Sequence, residues 1–123
     1  MSTKGEIMPN ANIVEEIYRY IVQLPNERIA ILTIKTLARH FAVSRCHISR
    51  RFRGERGITL AAFIQRRKLL LAERLLLNEP GLSVRGVASR LGYADCQHFI
   101  TRFKDQWGES PGRYRKILGE FTE

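Results

Sequence analysis

At 123 residues with 44% hydrophobic side chains, the chain is long enough for one domain or two very small subdomains sharing a connecting element, and too apolar for wholesale disorder. It carries 21 Lys and Arg against 12 Asp and Glu, a formal net charge of +9, and that excess points to a polyanionic partner, nucleic acid ahead of an anionic membrane. No apolar run approaches the ~20 residues that span a bilayer, the polar start lacks a secretory signal core, and two cysteines make no disulfide framework, so a cytoplasmic chain with free thiols is expected.

Residues 1–11 read as a mobile arm. Asn12 can cap a first helix, with Glu15 at its third position and Ile13, Ile17, Tyr20, Ile21 and Leu24 forming an apolar face, until Pro25-Asn26 breaks it. Thr33 caps a short helix carrying Leu37, Ala38 and Phe41. After a turn at Ala42-Val43, Ser44 caps a helix reaching about Arg53, with Ile48 and Phe52 inward and Gly54 and Gly57 ending it. Thr59 caps the longest helix, about Leu60 to Leu77, whose apolar residues are Phe63, Ile64, Leu70, Leu71, Leu75 and Leu76 and whose Arg66-Arg67-Lys68 form a basic collar. Asn78-Glu79-Pro80-Gly81 stops it. Ser83 then caps a helix holding Val84, Val87, Ala88 and Leu91 and ending at Gly92; Asp95 opens another, with Phe99, Phe103 and Trp107 inward. Ser110-Pro111 starts a last helix through Tyr114 and Ile117. No strand is evident, so the expected fold is all-α with about seven helices.

One pattern occurs twice. Leu37-Ala38, Phe41, Ile48, Phe52, Gly57 and Thr59 return about 50 residues later as Val87-Ala88, Leu91, Phe99, Phe103, Gly108 and Ser110, with one extra residue in the second turn. Each copy is a helix, a tight turn and a second helix that opens on a cap and carries basic side chains, the pattern of a helix-turn-helix unit that lays its second helix in the major groove. Five arginines crowd between Arg45 and Arg56 against a single acid, Glu55. The connecting helix, at 1.5 Å per residue, is about 27 Å long, which suits successive major-groove faces roughly 34 Å apart along one side of B-DNA. A monomer could then span both faces, and its site would need no palindrome.

The stretch Val87-Ala88, Leu91-Gly92-Tyr93, Phe99, Phe103-Lys104, Gly108, Ser110-Pro111, Tyr114-Arg115 resembles the C-terminal signature of the AraC/XylS transcription regulators, and the resemblance runs from about Ile13 to Ile117. It implies two helix-turn-helix subdomains, 12–57 and 82–118, joined by a linker helix at 59–78, following the arm at 1–11. The size is similar to stand-alone members that lack a ligand-binding or dimerisation domain; these are monomeric activators that bind asymmetric promoter boxes in double-stranded DNA and contact RNA polymerase. By the same resemblance Cys46, Ser49 and Arg50 face base edges from the first recognition helix, and Gln97, His98 and Thr101 from the second, with Arg102 close by. Arg50 can pair bidentately with guanine and Gln97 with adenine. Ser44, Arg45, Arg53, Arg56 and Lys104 are better placed for phosphates, which give affinity without sequence information.

Two residues depart from the family pattern. Cys46 stands where many relatives have a larger polar or aromatic residue, and Gly86 lies within a helix at a cost of about 1 kcal/mol relative to alanine. The collar Arg66-Arg67-Lys68 reads either as a solvated face or as a direct DNA contact. His40, His47 and His98 lack metal-ligand spacing with Cys46 or Cys96, and no phosphate loop or nucleophile motif is present, so no metal, cofactor or enzymatic activity is expected. Two other readings share the charge: a nonspecific architectural nucleic-acid binder, and a protein-interaction module docking on RNA polymerase or another regulator.

Overall fold

A computed structural model describes residues 13–119, and among them the chain forms eight α-helices and no strand. The expected arm over residues 1–11 and the Asn12 cap lie outside the described residues. The helices fall into two compact units, the first built from residues 13–25 with Leu32–Ile64 and the second from Asn26–Ile31 with residues 65–119.

In the first unit, α1 (Ile13–Val22) turns Ile13, Val14, Ile17 and Ile21 inward. The short α3 (Ile34–His40) buries Leu37 and Ala38, and α4 (Arg45–Arg56) buries Ile48 and Phe52, four residues apart and so on one helical face. The start of α5 (Leu60–Asn78) closes the core with Leu60, Phe63 and Ile64, and the Phe63 ring lies 5.4 Å from Phe52 and 5.5 Å from Tyr18.

The second unit repeats the plan. Here α6 (Val84–Arg90) buries Val87 and Ala88, α7 (Cys96–Trp107) buries Phe99 and Phe103, and α8 (Pro111–Gly119) seats Pro111 in its first turn. Leu69, Leu71, Ala72 and Leu76 of α5 complete the core, together with Ile29 and Ala30 of α2 (Asn26–Ala30). Tyr114 makes an edge contact with Phe103 at 5.3 Å, and its hydroxyl donates to the Glu73 carboxylate. Burial, and after it that contact, push the Tyr114 phenol up to about 12. Trp107 is half-buried, its indole N–H donating to the Leu69 carbonyl at 3.4 Å.

The sequence reading counted about seven helices; the eighth is α2, five residues long and too short to carry a periodic signal. From sequence the helix after Ser44 reaches about Arg53 and is ended by Gly54 and Gly57 together. Instead Gly54 lies inside α4, and Gly57, in left-handed backbone at φ 73°, is the residue that stops it. In α5, Leu69 is buried while Leu70 and Leu75 are only half-buried.

Both helix-turn-helix turns share one backbone solution. Val43 N–H bonds the Ala38 carbonyl at 3.0 Å and Ala42 N–H bonds Arg39 at 3.2 Å; Tyr93 bonds Ala88 at 3.0 Å and Gly92 bonds Ser89 at 3.0 Å. These paired bonds close the end of α3 and α6 by placing the next residue but one in left-handed backbone. That residue is Gly92 at φ 85° in the second unit but Ala42 at φ 57° in the first.

Candidate nucleic-acid interface

Each second helix is oriented by what it buries. With Ile48 and Phe52 fully inside, α4 must turn Cys46, Arg50 and Arg53 outward, and these are exposed, as is Arg45 at the start of the helix, while Ser49 is half-buried at the edge of that face. With Phe99 and Phe103 inside, α7 exposes Gln97, His98, Thr101, Arg102 and Lys104. Within each unit the structure therefore brings the residues predicted to read bases onto one solvent-facing side of one helix.

The helix starts are held by local caps. The Ser44 hydroxyl accepts the His47 N–H at 3.0 Å, and the Asp95 carboxylate accepts the Gln97 N–H at 3.0 Å. Ser44 thus spends one acceptor position on its own helix.

The cations of α4 and α7 divide into committed and uncommitted groups. Arg51 is paired with Glu55 at 2.7 Å, and Arg56 with Glu15 at 3.1 Å while its guanidinium carbon sits 4.2 Å from the Tyr18 ring centre. Arg56, predicted at a phosphate, is therefore held against α1. Among the described residues Arg45, Arg50 and Arg53 have no carboxylate partner. On α7 the Arg102 Nε–H donates to His98 Nε2 at 3.3 Å, and its guanidinium lies 3.9 Å from Asp105. Tyr93, whose ring meets His98 edge-on at 5.7 Å, has its phenol pushed up by burial against the opposing pull of Arg102 and Gln65.

A cleft of about 620 Å³ opens beside α4, with Arg50, Arg53 and Ser49 on one side and Ile34, Leu60 and Ala61 on the other. The basic collar splits. Lys68 is part-buried and donates to the Leu91 carbonyl at the end of α6 at 3.3 Å, and burial lowers its pKa from the ordinary lysine value. Arg66 is exposed, and Arg67 is half-buried. Two further cations were not singled out from sequence: Lys35 on α3 and Arg85 on α6, both exposed near the helix start. The repeat itself held the signal, since the same spacing that relates Leu37 to Val87 relates these two residues.

Cys46 is exposed and Cys96 half-buried, both as free thiols. Among the described residues no cluster of three or more His, Cys, Asp or Glu could hold a metal ion, and no helix is long and apolar enough to cross a membrane.

Two helix-turn-helix units, each presenting a capped second helix with a polar and basic outer face, define a member of the helix-turn-helix class. A family model for a helix-turn-helix domain matches residues 37–117. The bifunctional transcriptional activator/DNA repair enzyme AdaA of Bacillus subtilis is 32% identical over 92% of this chain, and the match takes in 52% of AdaA, so the chain spans about half the length of that relative. Among solved structures, the C-terminal domain of AraT, a response regulator from Geobacillus stearothermophilus, is 30% identical with a TM-score of 0.69, covering 87% of this chain and 86% of that one. The DNA-binding domain of the global transcriptional factor AdpA, solved in complex with a target DNA, is 27% identical with a TM-score of 0.72, covering 89% and 95%. The chain belongs to the AraC/XylS family of helix-turn-helix transcription regulators.

Proposed function

We propose that this chain binds double-stranded promoter DNA sequence-specifically, placing α4 and α7 in two major-groove segments of one asymmetric site, and that it acts as a cytoplasmic, monomeric, non-enzymatic activator in contact with RNA polymerase. The observation that carries the reading is the pair of outward helix faces, Cys46, Ser49 and Arg50 on α4 and Gln97, His98, Thr101 and Arg102 on α7, each fixed by two buried side chains on its opposite side. The faces differ from one another, which favours a site without internal symmetry. In this reading Arg50 takes a guanine edge and Gln97 an adenine edge. Arg45 and Arg53 take phosphates, with Lys104 the weaker contact of the second unit; Ser44 and Arg56 serve there less, because one caps its helix and the other is held by Glu15.

Selection from a random duplex library at about 0.15 M salt, where phosphate-only binding is suppressed, tests it. Enrichment of an asymmetric site with two short boxes is the expected outcome. Tight low-salt binding without enrichment would replace the reading with a nonspecific architectural binder, and no binding at all would leave a protein-interaction module.

A further inference from the structure

The cleft beside α4 has no electrostatic equivalent in the second unit. By the register of the repeat, Ser49, Arg50, Arg53 and Gly54 of the first unit correspond to Ile100, Thr101, Lys104 and Asp105 of the second. The exchange removes one arginine and adds a carboxylate, and that carboxylate sits 3.9 Å from the Arg102 guanidinium. Committed side chains widen the difference. Among the described residues Lys35, Arg39, Arg45, Arg50 and Arg53 of α3 and α4 lack a carboxylate partner. On α6 and α7 only Arg85 and Lys104 do, since Arg90 is paired with Glu79 at 3.2 Å.

We propose that the first unit's cleft seats the DNA backbone, with Arg53 at a phosphodiester, and that the second unit has no such seat, so the two units divide the labour. This rests on the DNA-binding reading above. The first unit supplies most of the sequence-independent, salt-dependent affinity, because each phosphate neutralised contributes about 0.9 to the slope of log K against log salt. The second unit adds little to that slope and acts chiefly through Gln97, His98 and Thr101 as a discriminator. A mismatch under α7 therefore changes specificity without releasing the protein, whereas loss of the first unit's free cations releases it from every sequence.

The test compares equivalent positions in the full chain by fluorescence anisotropy, on the selected duplex and on a scrambled one, across a salt series centred near 0.15 M. Arg53→Gln should reduce the slope by about 1 and weaken both duplexes roughly five-fold, while Lys104→Gln should weaken the scrambled duplex less than about two-fold. A triple Arg45→Gln, Arg50→Gln, Arg53→Gln variant should lose on the order of a hundred-fold on scrambled DNA. Thr101→Arg with Asp105→Asn should raise scrambled-duplex affinity and steepen the slope. All six positions are exposed surface sites, and retained helical circular dichroism confirms that each variant folds. Equal slope changes for Arg53→Gln and Lys104→Gln overturn the division of labour and leave the DNA-binding reading standing. Failure of the unaltered chain to bind either duplex overturns both.

Discussion

Ala42 and Gly92 occupy the same turn of the two units in the same left-handed backbone, and only one of them suits it. An L-residue there meets its own carbonyl and costs roughly 1–2 kcal/mol, whereas glycine has no Cβ to clash. Replacing Ala42 by glycine relieves that strain but loosens the unfolded chain, which returns about 0.4–1 kcal/mol. Ala42 is exposed, so no burial is lost. Ala42→Gly should therefore stabilise the protein by about 0.5–1 kcal/mol, a rise of roughly 2–5 °C in the midpoint for a chain of this size. Gly92→Ala should cost a similar amount. Its new Cβ would lie 3.6 Å from the Ala30 carbonyl oxygen, an ordinary contact, so the loss comes from backbone strain alone. Urea and thermal unfolding followed by helical circular dichroism measure both variants. A lowered midpoint for Ala42→Gly, or an unchanged one for Gly92→Ala, would refute the strained-turn account.

Other perturbations probe the core, the turns and the recognition face. Phe103→Ala removes a fully buried ring that meets Phe99, Trp107 and Tyr114, and should cost about 3–5 kcal/mol and abolish cooperative melting of the second unit, read by near-ultraviolet circular dichroism. Gly86→Ala gains about 1 kcal/mol of helix propensity but puts a Cβ 2.7 Å from Leu82 Cδ1; calorimetry should find it near neutral alone and stabilising by about 1 kcal/mol in a Leu82→Ala background. For Tyr114, with a folded pKa of about 12 above the unfolded value near 10, the folded state holds the proton more tightly. Its stabilising contribution is full below about pH 10 and is lost as pH rises through 12, so denaturation of Tyr114→Phe should show a shallower alkaline decline than the parent. Arg50→Ala should cost about 1–3 kcal/mol and relax preference at one base position in a selection experiment, and unchanged specificity would remove Arg50 from the base-reading face.

The 50-residue echo, the caps and the inward pairs Ile48/Phe52 and Phe99/Phe103 are legible in sequence because each is settled within one or two helical turns. Ser44 can reach only its own helix start, and two apolar residues four apart must share a face. The resemblance to AraC/XylS regulators rests on the same short-range pattern, and so does the outward placement of Arg50 and Gln97. Gly86, which had only a cost when read from sequence, gains a reason in the Leu82 side chain that covers it.

Tertiary structure decided which charges remain available. Nothing in the run from Arg45 to Arg56 says that Arg56 will be taken by Glu15, 41 residues away, or that Lys68 of an apparent surface collar will close the end of α6 at Leu91, 23 residues on. The five-residue α2 likewise has too little pattern to announce itself and groups with the second unit, beyond its neighbours in sequence. Helix formation and facing follow from a local period. Pairing of long, flexible cations depends on which carboxylate or carbonyl the packed core brings within about 3–4 Å, and that distance exists only once the chain has folded.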